Sequence, residues 1–139
     1  MALRIVFSAL ILTAGLLVAA PASAGDADYG RAWRADGVLK GGCNKYGFNY
    51  RVRPKSDDWA VEFFLVDPTG EGLGTEIKDS TIDPKRGRGK YKICRNTTRP
   101  GQFKIRGKLT IYKDKPFPEQ GQTKTEKWIK PGYFRLRRP

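Results

Sequence analysis

The chain contains no histidine, and this absence excludes several classes of chemistry at once. Without histidine there is no Ser-His-Asp or Cys-His arrangement, no general base with an unperturbed pKa near neutrality and no imidazole ligand for a metal. The sequence also lacks a glycine-rich phosphate loop and a dinucleotide-binding fingerprint. We therefore expect a protein that is not an enzyme and that needs no cofactor.

Long apolar runs are scarce, and the one that exists lies at the start of the chain. Ile5–Ala20 is almost uninterrupted, Arg4 precedes it, and an Ala-Ser-Ala sequence follows at 22–24. This order of charge, short apolar stretch and small residues is typical of a cleavable signal peptide. The run is also too short, and too soon followed by proline and charge, for a membrane span. We expect residues 1–24 to be a signal peptide, residues 25–139 to be a single basic domain, and the protein to be secreted, with association to the cell envelope as an option.

Cysteine is nearly as scarce, since Cys43 and Cys94 are the only two. In an exported chain an even count favours a disulfide, and two buried free thiols are the alternative. The bridge would close a loop of roughly 50 residues and stabilise the fold by about 4 kcal/mol in the chain-entropy description. With both sulfurs bonded, no thiolate nucleophile and no sulfur-based zinc site would remain.

The chain is rich in alternating apolar and polar residues, a pattern that is typical of β-strands. In one segment the apolar face consists of Tyr46, Phe48, Tyr50 and Val52. Similar alternation occurs at 59–66, 102–111 and 133–137, and weaker strands are predicted at 32–39, 74–78, 90–94 and 123–128. Turn sequences rich in proline and glycine separate these segments. The pattern predicts an all-β fold, a two-sheet sandwich of seven or eight strands.

Three features together resemble a known kind of domain. They are the cysteine pair, the Trp59 strand that ends in Asp67-Pro68-x-Gly70, and Pro100-Gly101-Gln102-Phe103 leading into a strand. In these respects the chain is similar to small secreted actinobacterial immunoglobulin-like proteins of unassigned activity. The resemblance covers roughly residues 43–136 and implies an immunoglobulin-like sandwich with a binding role. Because Cys43 precedes its strand, the bridge is expected to pin a strand end.

Charge is distributed unevenly along the chain. Residues 57–83 hold eight acidic residues against one lysine, whereas residues 84–139 hold eighteen basic residues against three acidic ones. The candidate binding residues alternate on three predicted strands: Lys90, Lys92, Lys104, Arg106, Lys108, Arg135 and Arg137. If those strands are neighbours, these cations form one basic face that is bordered by Tyr112 and Tyr133.

A basic face of this kind would concentrate polyanions and raise their association rates. The expected partners are an anionic cell-wall or envelope polymer, or an acidic protein surface. Nucleic acid is a less favoured partner, because few aromatic residues alternate with the cations and no nucleic-acid-binding motif is present. The alternative is that the cations only keep the strands from pairing with other chains and keep the protein soluble.

The acidic segment suggests a second kind of site. Calcium prefers hard oxygen ligands, and loop carboxylates that could supply them are Asp67, Glu71, Asp79 and Asp83. Their spacing matches no EF-hand, and the alternative is a solvated acidic surface. A carboxylate pair could also serve glycoside chemistry, but a domain of this size leaves little room for a substrate cleft. We expect no catalytic residues and no resident metal.

These patterns favour an exported, non-enzymatic binding domain whose basic face contacts an anionic partner. The alternative is a secreted cationic effector or toxin that acts on membranes or polymers of other cells. That alternative needs an exposed apolar stripe or a catalytic pair, and the sequence has no amphipathic helix of the membrane-lytic type. A third option is a structural domain that makes its contacts through the Pro116–Gln122 loop.

Overall fold

The computed structural model describes residues 25–139, so the expected signal peptide at 1–24 lies outside the described residues. Those 115 residues form nine strands and no helix. The strands are β1 (Asp26–Trp33), β2 (Gly37–Val38), β3 (Cys43–Val52), β4 (Trp59–Val66), β5 (Gly72–Asp79), β6 (Arg86–Cys94), β7 (Gly101–Asp114), β8 (Gln122–Lys130) and β9 (Gly132–Arg137). The all-β prediction is confirmed. There are more strands than predicted because the segment at 32–39 is divided between β1 and β2. Within residues 25–139, no helix could cross a membrane.

Burial follows the predicted period of two. In β3 the buried side chains are Tyr46, Phe48, Tyr50 and Val52. In β4 every odd-numbered residue from Trp59 to Leu65 is buried, and the even-numbered ones, including Phe64 and Val66, are half-buried. Each large apolar side chain removed from water contributes about 1.5–3 kcal/mol to folding. The inward residues of β3 and β4 therefore supply much of the core.

Hydrogen bonds join the nine strands into one continuous sheet. Its main order is β2-β9-β7-β8-β1-β3-β6, while β4 pairs with the other edge of β7 and β5 pairs with β4. β7 has 14 residues, which is long enough to pair with β9 over Gly101–Ile105 and with β8 over Lys108–Asp114. β8 then pairs in parallel with β1. The strands that were expected to form two separate sheets are thus connected to one another through β7, β8 and β1.

The sheet folds over a single core. The Phe63 ring of β4 meets two rings of β3, with centroids 5.1 Å from Phe48 and 5.2 Å from Tyr50. The Tyr91 ring of β6 stacks on the Phe48 ring, with centroids 4.9 Å apart. The inner faces of β3 and β6 therefore look toward the inner faces of β4 and β7. Their outer faces consequently point away from each other, on different sides of the molecule.

The predicted disulfide is present between Cys43 and Cys94. The two residues are direct partners in the antiparallel β3–β6 ladder, and their Cα atoms lie 3.9 Å apart. The bridge therefore links neighbouring strands at one end of their ladder and does not cross the core. This agrees with the expectation that it pins a strand end.

The edge strand β5 carries charged residues on its inner side. Its partners in β4 show this, since Lys78 pairs with the buried Val61 and Glu76 with the buried Phe63. The Lys78 ammonium lies 3.1 Å from Glu76 and 3.4 Å from Asp83. Burial opposes the charged ammonium, but its bonds to these two carboxylates outweigh that effect and raise its pKa. Inward charges of this kind prevent an edge strand from pairing with another chain.

Candidate functional site: two basic faces

The outer side of β3 and β6, together with residues 30–33 of β1 that pair with β3, carries cations without acids, and we call it the acid-free face. The paired outward positions of the three strands hold seven basic residues and no acidic one: Arg31, Lys45, Arg51, Arg86, Arg88, Lys90 and Lys92. Within residues 25–139, no ion pair involves any of the seven. Their charge is therefore free to act on solvent and on ligands.

Cations on the acid-free face stand directly opposite one another. Arg51 is the ladder partner of Arg31 on one side and of Arg86 on the other. Nearer the disulfide, Lys45 is the partner of Lys92. Side chains at such opposed positions have Cβ atoms about 5 Å apart, and like charges there destabilise a sheet. This arrangement lowers the stability of the fold, so stability does not explain it.

The strand geometry spaces these cations regularly. Along β6, Arg86, Arg88, Lys90 and Lys92 occupy every second position, which is a repeat of about 6.8 Å. Gly47 contributes no side chain at its outward position, and an open groove lined by Gly47, Asn49 and Arg88 results. The only aromatic residue at these positions, Trp33, is half-buried and is covered by the Arg31 guanidinium at 4.8 Å. The face is a row of cations around a shallow groove.

The outer side of β4, β7, β8 and β9 is also basic, but it includes acids and exposed rings, and we call it the mixed face. Its cations on β7 are Lys104, Arg106 and Lys108, all half-buried. Lys108 lies opposite Glu62 in β4, and its ammonium is 3.9 Å from the Glu126 carboxylate of β8. Part of the charge on this face is therefore compensated.

Two aromatic side chains of the mixed face remain exposed. Trp128 is 36% exposed, and its ring lies 4.3 Å from the Arg106 guanidinium and 6.0 Å from the Phe64 ring. Tyr133 is 53% exposed and lies 5.6 Å from the Lys104 ammonium. Cation–π contacts at exposed positions contribute about 0.5–1 kcal/mol each. The mixed face therefore combines exposed rings with cations that lie beside them.

The seven predicted binding residues are divided between the two faces. The single basic face required β6, β7 and β9 to be neighbours. β7 and β9 are, so Lys104, Arg106, Lys108, Arg135 and Arg137 share the mixed face. β6 is separated from β7 by β8, β1 and β3, so Lys90 and Lys92 lie on the acid-free face. The two tyrosines expected to border the basic face also lie apart. Tyr133 of β9 is the partner of Lys104 in β7, whereas Tyr112, farther along β7, is the partner of Lys124 in β8.

The four calcium candidates form two separate pairs. Asp67 and Glu71 lie at the turn between β4 and β5, whereas Asp79 and Asp83 lie at the other end of that hairpin, about 20 Å away by strand length. Within residues 25–139, no group of three potential metal-ligating side chains occurs. The structure therefore does not bring the four together.

Asp67 has a structural role instead. One carboxylate oxygen accepts hydrogen bonds from the Thr69 amide, the Thr69 hydroxyl and the Glu71 amide at 2.7, 2.6 and 3.0 Å. The other oxygen accepts one from the Thr98 hydroxyl at 2.8 Å. Burial disfavours the charged form, but these bonds outweigh it and lower the pKa of the Asp67 carboxyl. Asp67 thus ties the turn after β4 to the loop after β6.

Sequence reasoning left several residues of these faces out of the predicted site. Lys45 and Arg51 alternate with the predicted apolar residues of their strand, but the alternation does not place that strand beside β6. The cysteine pair is a signal that could have done so, because Cys43 opposite Cys94 fixes the register of the whole β3–β6 ladder. Trp128 carried no comparable signal, since β8 is polar on both sides up to that residue.

Comparison with known proteins adds no relative to this description. No family model matches the chain, and it has no match among curated proteins or solved structures. The functional argument therefore depends on the two faces alone.

Proposed function

We propose that the protein is a non-enzymatic binding domain that holds an anionic polymer on its acid-free face. The observation that carries this proposal is the opposition of like charges, Arg31 to Arg51 to Arg86 and Lys45 to Lys92, with no acid at the paired outward positions. A bound polyanion would remove the repulsion among these side chains. The stability that the isolated fold loses through this repulsion would thereby be recovered on binding.

Solubility alone is a weaker explanation for the acid-free face. Cations that are spread over the surface and interspersed with acids would keep the protein soluble and protect its strand edges equally well. The mixed face has such an arrangement, since its Lys108 lies near Glu62 and Glu126. A solubilising surface needs net charge, but it does not need cations directly opposite one another. The direct opposition of cations on the acid-free face therefore favours a binding role over solubility alone.

The proposal places the binding event outside the cytoplasm. The Cys43–Cys94 bridge supports an oxidising compartment, in agreement with the signal peptide expected from the sequence. The partner would then be an anionic polymer of the cell envelope or the extracellular space. We also retain the immunoglobulin-like relationship as a proposal, although binding on the acid-free face does not depend on it.

Binding of the full chain to immobilised heparin, measured between 50 and 300 mM NaCl, tests the proposal. Reversal of two cations in the variant Lys90→Glu/Lys92→Glu should weaken binding at low salt by roughly thirtyfold or more, because each cation near an anionic surface contributes about 1 kcal/mol. The salt dependence should also become shallower, since fewer counterions are released.

The matched control is Lys113→Glu/Lys115→Glu, which changes the net charge equally at the exposed tip of the β7–β8 hairpin. We expect this control to keep most of the affinity. Equal losses in the two variants would show that only net charge matters, and they would contradict the proposal. Leakage of dye from anionic vesicles at concentrations that saturate heparin binding would instead favour the cationic effector.

A further inference from the structure

The mixed face has a feature that polyanion attraction does not require, namely two exposed aromatic rings on one side of the sheet. Trp128 neighbours Lys108 in the β7–β8 ladder, and Tyr133 neighbours Lys104 in the β7–β9 ladder. The backbone positions opposite the two residues are therefore four residues of β7 apart, about 14 Å along the strand. In the sequence, Trp128 precedes and Tyr133 follows the Lys130-Pro131-Gly132 segment, where β8 ends and β9 begins.

Both rings have neighbours on the mixed face, and Trp128 has more of them than Tyr133. Trp128 packs against Phe64 and the Arg106 guanidinium, and Tyr133 lies beside the Lys104 ammonium. A side chain that is ordered before binding loses less conformational freedom when a ligand arrives. Exposed rings with such neighbours are suited to make contacts with a ligand.

Cations lie between the two rings. A shallow depression beside Trp128 is lined by Gly25, Lys104, Arg106, Trp128, Ile129 and Pro131. The outward neighbours of Lys104 and Arg106 in β4 are the uncharged Val66 and Phe64. The nearest acids lie farther along β7, Glu62 opposite Lys108 and Glu126 opposite Thr110. Beyond Tyr133, Asp36 accepts a hydrogen bond from the Arg135 amide at 2.7 Å. The stretch between the rings is thus cationic.

We propose that this stretch is a binding site for an acidic oligosaccharide. A pyranose ring presents a C–H face that packs on an aromatic side chain, while its hydroxyl groups accept hydrogen bonds from lysine and arginine. A carboxylate on the same sugar would pair with Lys104 or Arg106. The site is centred on β7 and the acid-free face on β3 and β6, and in the part of the chain that the structure describes the two adjoin only where Arg31 of β1 pairs with Lys130 of β8. The proposal does not rest on the proposed function.

Other partners fit the site less well. A protein interface has a continuous apolar centre, whereas cations separate the two rings here. Single-stranded nucleic acid stacks successive bases on neighbouring aromatic side chains, whereas Trp128 and Tyr133 stand at positions four residues apart along β7 with cations between them. The nucleic-acid alternative is a measurable outcome of the experiment.

The experiment titrates the full chain with tetragalacturonic acid, and with its fully methyl-esterified form as the uncharged counterpart, while tryptophan fluorescence and heat are recorded. Trp59 is 2% exposed, Trp33 is half-buried and Trp128 is 36% exposed, so the Trp128→Phe variant shows whether a change in fluorescence comes from Trp128. We expect the acid to bind at least tenfold more tightly than its ester. Trp128→Ala should weaken binding of the acid at least tenfold, whereas Trp128→Phe should bind it but give no fluorescence change.

Charge variants separate this site from the acid-free face. Lys104→Gln/Arg106→Gln should remove the preference for the acid over the ester, whereas Lys90→Gln/Lys92→Gln should leave it unchanged. Unfolding curves of each variant check that the fold is intact. Equal binding by Trp128→Ala and the natural protein, no preference for the acid, no binding of either sugar, or tighter binding of a thymidine tetranucleotide would each overturn the proposal.

Discussion

The acid-free face and the mixed face are built from the same kinds of strand, but they treat positive charge in opposite ways. On the mixed face, Lys108 has acids beside it. On the acid-free face, arginine lies opposite arginine and lysine opposite lysine. The first arrangement stabilises the isolated protein, whereas the second lowers its stability, a cost that the proposed anion would offset on binding. The neighbours of the basic residues, and not their number, distinguish the two faces.

The largest expected effect comes from the disulfide, which anchors only the acid-free face. Cys43→Ala/Cys94→Ala should lower the free energy of unfolding by about 4 kcal/mol, because a loop of roughly 50 residues is released in the unfolded chain. Urea unfolding measures this loss. Amides that exchange only through global unfolding should accelerate equally in all strands, whereas those beside Cys43 in β3 and Cys94 in β6 should accelerate further, because these strand ends can then open locally. No extra acceleration at these ends, compared with β7 and β9, would contradict the claim that the bridge pins them.

The Asp67 turn lies outside both cation clusters, so it tests fold stability without altering either. Asp67→Ala should cost about 2 kcal/mol or more, because several donors lose their acceptor. The pKa of Asp67 is lowered in the folded protein from its usual 3.8. Its contribution is therefore complete above that pH and is lost as the pH falls further.

Acid unfolding of the natural protein and of Asp67→Asn measures this dependence. The variant should lose less stability between pH 5 and pH 2, because it has no carboxyl to protonate at this position. Heparin affinity at neutral pH should be the same in both. A change in affinity would mean that the turn and the acid-free face are coupled.

A smaller effect is expected when the charge pattern of each face is exchanged. Arg86→Glu places an acid opposite Arg51 and should stabilise the fold by about 0.2–1 kcal/mol, while it weakens heparin binding. Glu62→Lys places a cation opposite Lys108 and should destabilise the fold by a similar amount. Chemical unfolding at low and high salt measures both changes, which should shrink as salt screens the charges. If Arg86→Glu destabilises the fold, the opposed cations do not repel as described.

The smallest effect is expected beneath the acid-free face. The buried Tyr91 hydroxyl has no hydrogen-bond partner within residues 25–139, and burial, with a smaller contribution from Glu76, raises its pKa. Tyr91→Phe should therefore change the unfolding free energy by less than about 1 kcal/mol. Thermal unfolding measures it, with Tyr50→Phe as the control. The Tyr50 hydroxyl donates a hydrogen bond to the Pro84 carbonyl at 3.0 Å, so its loss should cost more.

The sequence predicts the strands of this fold better than their arrangement. Alternation in β3 and β4 reports local burial, because a strand exposes successive side chains to opposite sides. The position of β6 depends on long-range pairing, which alternation does not encode. Alternation consequently predicts one surface for all seven candidate binding residues, although Lys90 and Lys104 lie on different faces. Similarly, Trp128 has meaning only through its contacts with Phe64 and Arg106, which lie on other strands.

The most direct test of the central claim is to locate the bound polyanion by amide chemical-shift changes when inorganic polyphosphate, which has no sugar ring to pack on Trp128 or Tyr133, is added to the full chain. We predict that the largest changes fall on the outward residues of β3 and β6, from Lys45 to Arg51 and from Arg86 to Lys92. The hairpin tip near Lys113 should change little. Changes concentrated on Gly101–Lys108, or spread evenly over all basic residues, would contradict the claim that the acid-free face binds the polymer.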